Sequence, residues 1–140
     1  AVANAKIAYA DVYQAIFDHD ASWQAVEAAG GARQRALWAS TSTKNPAYPD
    51  TLYVDALIGP HTVNTLPDST VTAFADHGTV SRTIDVNISA AREQWSRLRT
   101  VGVDVDDVSA QLEREGVTSF IKSFEGLIAA LVDKAASIDS

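Results

Sequence analysis

The chain has no cysteine, so it can form no disulfide frame, no thiolate metal site and no cysteine nucleophile, which fits a reducing compartment. It has no methionine either, and so opens without an initiator, on Ala1-Val-Ala-Asn-Ala-Lys-Ile-Ala-Tyr9. The helical pattern of Ala5, Tyr9, Val12 and Ile16 is already under way there, and we read the chain as a piece of a longer polypeptide. Long hydrophobic runs are missing. The longest, Leu127 to Val132, falls far short of the roughly 20 residues a membrane span needs. Nothing resembles a signal peptide, and a cytoplasmic address is the default expectation. Basic clusters are missing too. With 11 Lys+Arg against 18 Asp+Glu and a formal charge of −7, the chain lacks the clustered cations that neutralise nucleic-acid phosphates. Arg92, Arg97 and Arg99 come nearest, but they share a helical pattern with Glu93 and read as a solvated face.

What is present suits one compact core: 140 residues, 46% hydrophobic and 21% charged. The pattern is mostly helical. Asp20 or Ser22 is placed to cap a short second helix through Trp23 and Val26, ended by Gly30-Gly31. Arg35-Ala-Leu-Trp-Ala39 then reads as a short buried strand. Asp50 is placed to cap a helix over Thr51 to Ile58, stopped by Gly59-Pro60, and a second strand follows at His61 to Thr65. Pro67-Asp68 starts a further helix through Val71 and Phe74, with His77 in its last turn and Gly78 as its stop.

Beyond residue 84 the pattern is wholly helical. Ile88, Ala91, Trp95 and Leu98 form one stripe closed by Gly102, and Val105, Val108 and Leu112 another closed by Gly116. Phe120, Phe124, Leu127, Ile128 and Leu131 form the longest. These stripes read as packing surface. There is no internal repeat, low-complexity tract or clear linker.

Two short apolar strands alternating with helices predict parallel neighbours in an α/β sheet. Two strands alone make no stable parallel sheet, so further strands are expected upstream. In barrels of alternating strands and helices, ligand groups gather where strands end and loops begin, and two segments occupy that position: the one after Ala39, and Asn64-Thr65.

The segment after Ala39 has the dress of a ligand site. Ser40, Thr41, Ser42 and Thr43 precede Lys44, and Asn45-Pro46 follows; the other lysines (Lys6, Lys122, Lys134) lie near the ends. One isolated cation beside four hydroxyls suits an anionic oxygen ligand, most simply a phosphate. A Schiff-base lysine needs an apolar pocket or a neighbouring cation, and the sequence around Lys44 offers neither, which favours an anchor over a nucleophile. A plain surface loop stays open.

Other candidates are weaker. His19, His61 and His77 have no metal-ligand spacing, and His77 suits a helix C-terminus. Asp104-Val-Asp-Asp107 mimics the start of a calcium loop without its glycine or distal glutamate, and Asp104 reads as a helix cap. No histidine or carboxylate stands in local sequence to activate Ser40 to Thr43. Trp38 reads as core. No cofactor and no metal is called for.

The words Trp38-Ala-Ser-Thr41 and Lys44-Asn-Pro-Ala-Tyr48, followed by Gly59-Pro-His-Thr-Val-Asn-Thr-Leu-Pro67 and Ala75-Asp-His-Gly78, resemble the C-terminal portion of bacterial transaldolases. The resemblance covers nearly the whole chain. It implies an α/β fold: residues 1–140 as the C-terminal portion of a (β/α)8 TIM barrel, with the last two strands, their helices and the closing C-terminal helices. The rest of the barrel, on the same polypeptide or a companion chain, would be its partner. The implied enzyme belongs to the pentose phosphate pathway. It passes a dihydroxyacetone unit between sugar phosphates, sedoheptulose 7-phosphate and glyceraldehyde 3-phosphate, through a lysine Schiff base. In that register Ser40 and Lys44 fall where the family holds the substrate phosphate, with Ser42, Asn64 and Thr65 as further substrate-side candidates. The Schiff-base lysine and the acid/base carboxylates belong to earlier strands, so no catalytic residue is assigned here and the isolated chain is expected to be inactive. The contrasting expectation is a non-catalytic helical module that docks through its apolar stripes.

Overall fold

The computed structural model describes residues 1–138. These form two compact units, Ala1–Ser96 and one beginning at Arg97.

The first unit opens with α1 (Val2–Ile7), which continues into wider helical turns over Ala8–Tyr13 and Ala15–His19. The wider turns change which face is buried. An α-helix repeats about every 3.6 residues, which predicted Val12 and Ile16 inward after Tyr9; a wider turn advances further per repeat. Tyr9, Tyr13 and Phe17 line up instead, with ring centroids 5.3 and 4.8 Å apart, and Trp23 closes the column edge-on at 4.7 Å from Phe17. Val12 and Ile16 are exposed. Each tyrosine also reaches a strand's approach: Tyr9 Oη donates to the Pro60 carbonyl and Tyr13 Oη to that of Gln34, both at 2.8 Å.

Asp20 caps α2 (Ala21–Ala28) as expected, its carboxylate accepting from the Ser22 and Trp23 amides at 2.7 and 3.2 Å. Two strands follow, β1 (Ala36–Trp38) and β2 (Thr62–Asn64), with α3 (Leu52–Ala56) between them. They pair in parallel, as alternation with helices predicted, in the register Ala36↔Thr62, Leu37↔Val63, Trp38↔Asn64. The ladder extends one bond each way, from Ala36 N to His61 O and from Thr65 N to Trp38 O, both 3.0 Å. The expected burial of β1 is not found. Ala36 and Trp38 pack toward the core, but Leu37 between them is 56% exposed.

Asp50 does not cap the helix that follows it. The α3 helix starts from Thr51 with no side-chain cap, since the Asp50 carboxylate bonds His77 instead and Thr51 Oγ1 donates to Asp55 at 2.7 Å. The next helix, α4 (Asp68–His77), starts after Pro67 and stops before Gly78 as expected. Gly78 is nevertheless in extended backbone, so its role is space: a Cβ there would lie 2.2 Å from Phe74 Cδ2.

The core centres on Tyr9, Leu57 and Ile84, the last fully buried. Ile84 lies in the segment after α4, which no periodicity marked. Several hydrogen bonds fix that segment, including those from the Thr83 and Ile84 amides to the Ile58 carbonyl. Lys6 Nζ donates to the Thr83 and Val86 carbonyls at 2.7 and 3.0 Å, and Thr83 Oγ1 donates to the Asp55 carbonyl at 2.6 Å. Gly59 lets Ile84 approach, since a Cβ there would lie 2.0 Å from Ile84 Cγ2. Ile84→Ala in the full-length protein is therefore expected to cost about 2–5 kcal/mol, read as a lower denaturant midpoint. A shift below about 1 kcal/mol would show that Ile84 is no keystone. The helix α5 (Ile88–Thr100) follows; its Ala91 is buried as its stripe predicted, and Arg92 pairs with Asp11.

In the second unit, Gly102 ends α5 at φ 84°, with the Val103 amide donating back to the Leu98 carbonyl at 3.0 Å. Asp104 caps α6 (Val105–Ile138) through the Asp106 and Asp107 amides, each at 3.1 Å. Gly116 does not close this helix, which is 34 residues long and continues through it to Ile138. A single mid-helix glycine costs about 1 kcal/mol, too little to stop a helix with good formers on either side. Nor do the α6 stripes pack: Leu112, Phe120, Phe124, Leu127 and Leu131 are all exposed among the described residues. No helix among the described residues is long and apolar enough to cross a membrane.

Candidate functional site

Parallel pairing puts the C-terminal ends of β1 and β2 side by side. The chain leaves β1 through Ala39 and turns at Ser40, whose φ of 57° is left-handed. That turn sends Thr41 inward, where it is only 4% exposed. Thr41 Oγ1 donates to Asn64 Oδ1 at 2.7 Å and lies 3.4 Å from the Thr65 carbonyl, so the loop after β1 is stapled to the end of β2.

Beyond the staple the loop turns outward. Lys44 Nζ donates to Ser42 Oγ, and Asn45 starts a tight turn that accepts from the Ala47 and Tyr48 amides. Thr43 Oγ1 reaches the Asp50 carbonyl at 3.4 Å. Asp50 itself meets His77, with Nε2 2.8 Å from Oδ1, and His77 Nδ1 lies 3.1 Å from Asp76. The His77 bond holds the Asp50 carboxyl below its ordinary range. Asp50 first, then Asp76, raise the His77 ring above its own.

A cavity of about 430 Å³ opens on this loop, lined among others by Trp38, Ser40, Ser42, Lys44, Tyr48 and Tyr53. A smaller cleft of about 340 Å³ lies on the loop's other side, between Ser42, Thr43, Lys44 and Asp50 and the first turn of α4 at Ser69 and Thr70. Ser42, Thr43 and Lys44 line both.

Of the residues singled out in the sequence, the structure brings Ser40, Ser42 and Lys44 together on the larger cavity. Asn64 and Thr65 are not on its wall; they hold Thr41. Sequence reasoning passed over Tyr48 and Tyr53, which give the cavity apolar walls, and the Asp50–His77 bond. The Asp76-His77-Gly78 word marked His77 without naming its partner. Hydroxyl and ammonium donors converging on a largely apolar cavity suit an anionic, oxygen-rich ligand. Among the described residues no three His, Asp or Glu side chains are placed to hold a metal ion.

A hydroxyl-rich, lysine-bearing loop at the C-terminal ends of parallel strands lies where α/β enzymes commonly hold their ligands. The family model described as Transaldolase/Fructose-6-phosphate aldolase matches residues 1–131, and the chain belongs to that family. It is 49% identical over 136 residues to a transaldolase of Trichodesmium erythraeum, covering 96% of this chain and 35% of that protein. It is 48% identical over 132 residues to a transaldolase of Neisseria gonorrhoeae (94% and 37%) and 46% identical over 138 residues to one of Thermobifida fusca (98% and 37%). The chain thus spans little more than a third of the length of these relatives.

Proposed function

We propose that this chain is the substrate-phosphate side of a transaldolase, acting within a longer polypeptide as the last two strands and closing helices of a (β/α)8 barrel. The reaction moves a dihydroxyacetone unit from a ketose phosphate such as sedoheptulose 7-phosphate to glyceraldehyde 3-phosphate, through a Schiff base on a lysine outside these residues. The observation that carries the reading is the loop after β1, where Ser40, Ser42 and Lys44 face one cavity at the C-terminal end of a parallel pair. A dianionic phosphate accepts from several donors at once, and a lysine with hydroxyls supplies them without a metal. Holding the phosphate at that point sets the distance from the sugar carbonyl to the nucleophile, so the anchor contributes orientation as well as affinity. Family membership over residues 1–131 weighs against a stand-alone helical docking module.

Borohydride reduction tests the division of labour. With ketose phosphate present, the full-length protein is expected to carry the reduced adduct on a lysine outside these 140 residues. Peptide mapping that finds the adduct on Lys44 would overturn the assignment of Lys44 as anchor.

A further inference from the structure

The loop after β1 is tied at both ends. Thr41 is held by Asn64 at its start, and Asp50 is held by His77 at its end. The second tie joins residues 27 apart in sequence, and both side chains are at least half exposed. Exposed pairs of this kind contribute little to global stability, so the effect of this one is local. Asp50 shares the smaller cleft with Lys44 and Ser42, and its carbonyl accepts from Thr43, the neighbour of Lys44. A carboxylate released from His77 would be free to turn toward Lys44 and compete with an anionic ligand for it.

We propose that His77 is a positioning residue for the phosphate anchor: by holding Asp50 it fixes the far end of the Lys44 loop and keeps that carboxylate away from Lys44. This rests on the reading of Lys44 as the anchor. Among the described residues the charged groups that act on the His77 ring are Asp76 on its own helix and Asp50 on the loop; Asp55 of α3 accepts from the Thr79 amide, two residues on, at 2.8 Å. A protonated ring donates to Asp50 and Asp76 together. His77 is raised above its ordinary 6.5, so the tie is complete below that pH and is lost as pH rises through the raised value. Asp50 is lowered from 3.8, so on the acid side the tie survives until pH falls through that depressed value.

The test uses the full-length protein with inorganic phosphate as a competitive inhibitor. His77→Ala is expected to raise the inhibition constant and the KM for sugar phosphate by about two- to fivefold, with kcat nearly unchanged. His77→Gln, which keeps a donor for Asp50, is expected to restore both while abolishing their rise at alkaline pH. If Lys44→Ala weakens phosphate binding and His77→Ala does not, the inference about His77 fails by itself. If Lys44→Ala has no effect, both readings fail. Should His77→Ala not fold, the pH profile of His77→Gln decides: an alkaline rise equal to that of the parent protein overturns the inference.

Discussion

Expressed alone, the 140-residue chain is expected to turn over no sugar phosphate and to trap no adduct with borohydride, whereas the full-length protein is expected to do both. The reason is physical before it is chemical. Among the described residues β1 and β2 pair with each other only, and two parallel strands are too few for a stable sheet. Leu37 in the middle of β1 is more than half exposed, where a strand of a complete parallel sheet is covered on both faces. The chemistry points the same way. The cavity wall offers hydroxyls, tyrosines and one lysine, but no carboxylate to move a proton. A coupled assay for released aldehyde phosphate reads the result. Activity of the isolated chain within about tenfold of the full-length protein would overturn the assignment of the catalytic groups to upstream strands, since losing a catalytic nucleophile costs far more.

In the full-length protein, Lys44→Ala is expected to raise the KM for the ketose phosphate about ten- to a hundredfold, the equivalent of about 1.5 to 3 kcal/mol for a hydrogen bond to a charged group. Borohydride trapping at saturating substrate is expected to persist, because the variant keeps the nucleophile. Lys44→Arg is expected to recover most of the affinity, since a guanidinium carries the same charge and can grip phosphate with two donors. Steady-state kinetics against a ketose and its phosphate ester separate the causes: a phosphate anchor affects only the ester. An unchanged KM for the ester would return Lys44 to a plain surface loop.

Local chemistry made much of this legible in the sequence. The caps at Asp20 and Asp104 bond the amides immediately after them, so a short polar residue before an apolar run was enough. The parallel pairing followed from alternation with helices, and the Lys44 loop from its isolated charge. What failed depends on distant partners or on turn geometry. Asp50 fits a helix cap by position, yet a histidine 27 residues away takes its carboxylate. The face of the first helix shifted because its turns widen. Ile84 lies in an irregular segment where no period exists to be read. Gly116 misled because a glycine that ends one helix is carried through another, and the difference lies in the residues that follow.

The left-handed turn at Ser40 also bears on how this sequence can drift. Ser40 shares a φ near 57° with Asn87 and with His61 at 56°, and these lie at the exit of β1, the approach to α5 and the entry to β2. Glycine adopts that backbone freely and Asn or Asp with little strain, whereas Val, Ile and Thr are disfavoured. Substitutions at the exit of β1 are therefore filtered by backbone shape before any ligand chooses among them. That backbone accepts an amide or a bare glycine in place of the Ser40 hydroxyl, but a branched side chain there would strain the turn that brings Thr41 to Asn64.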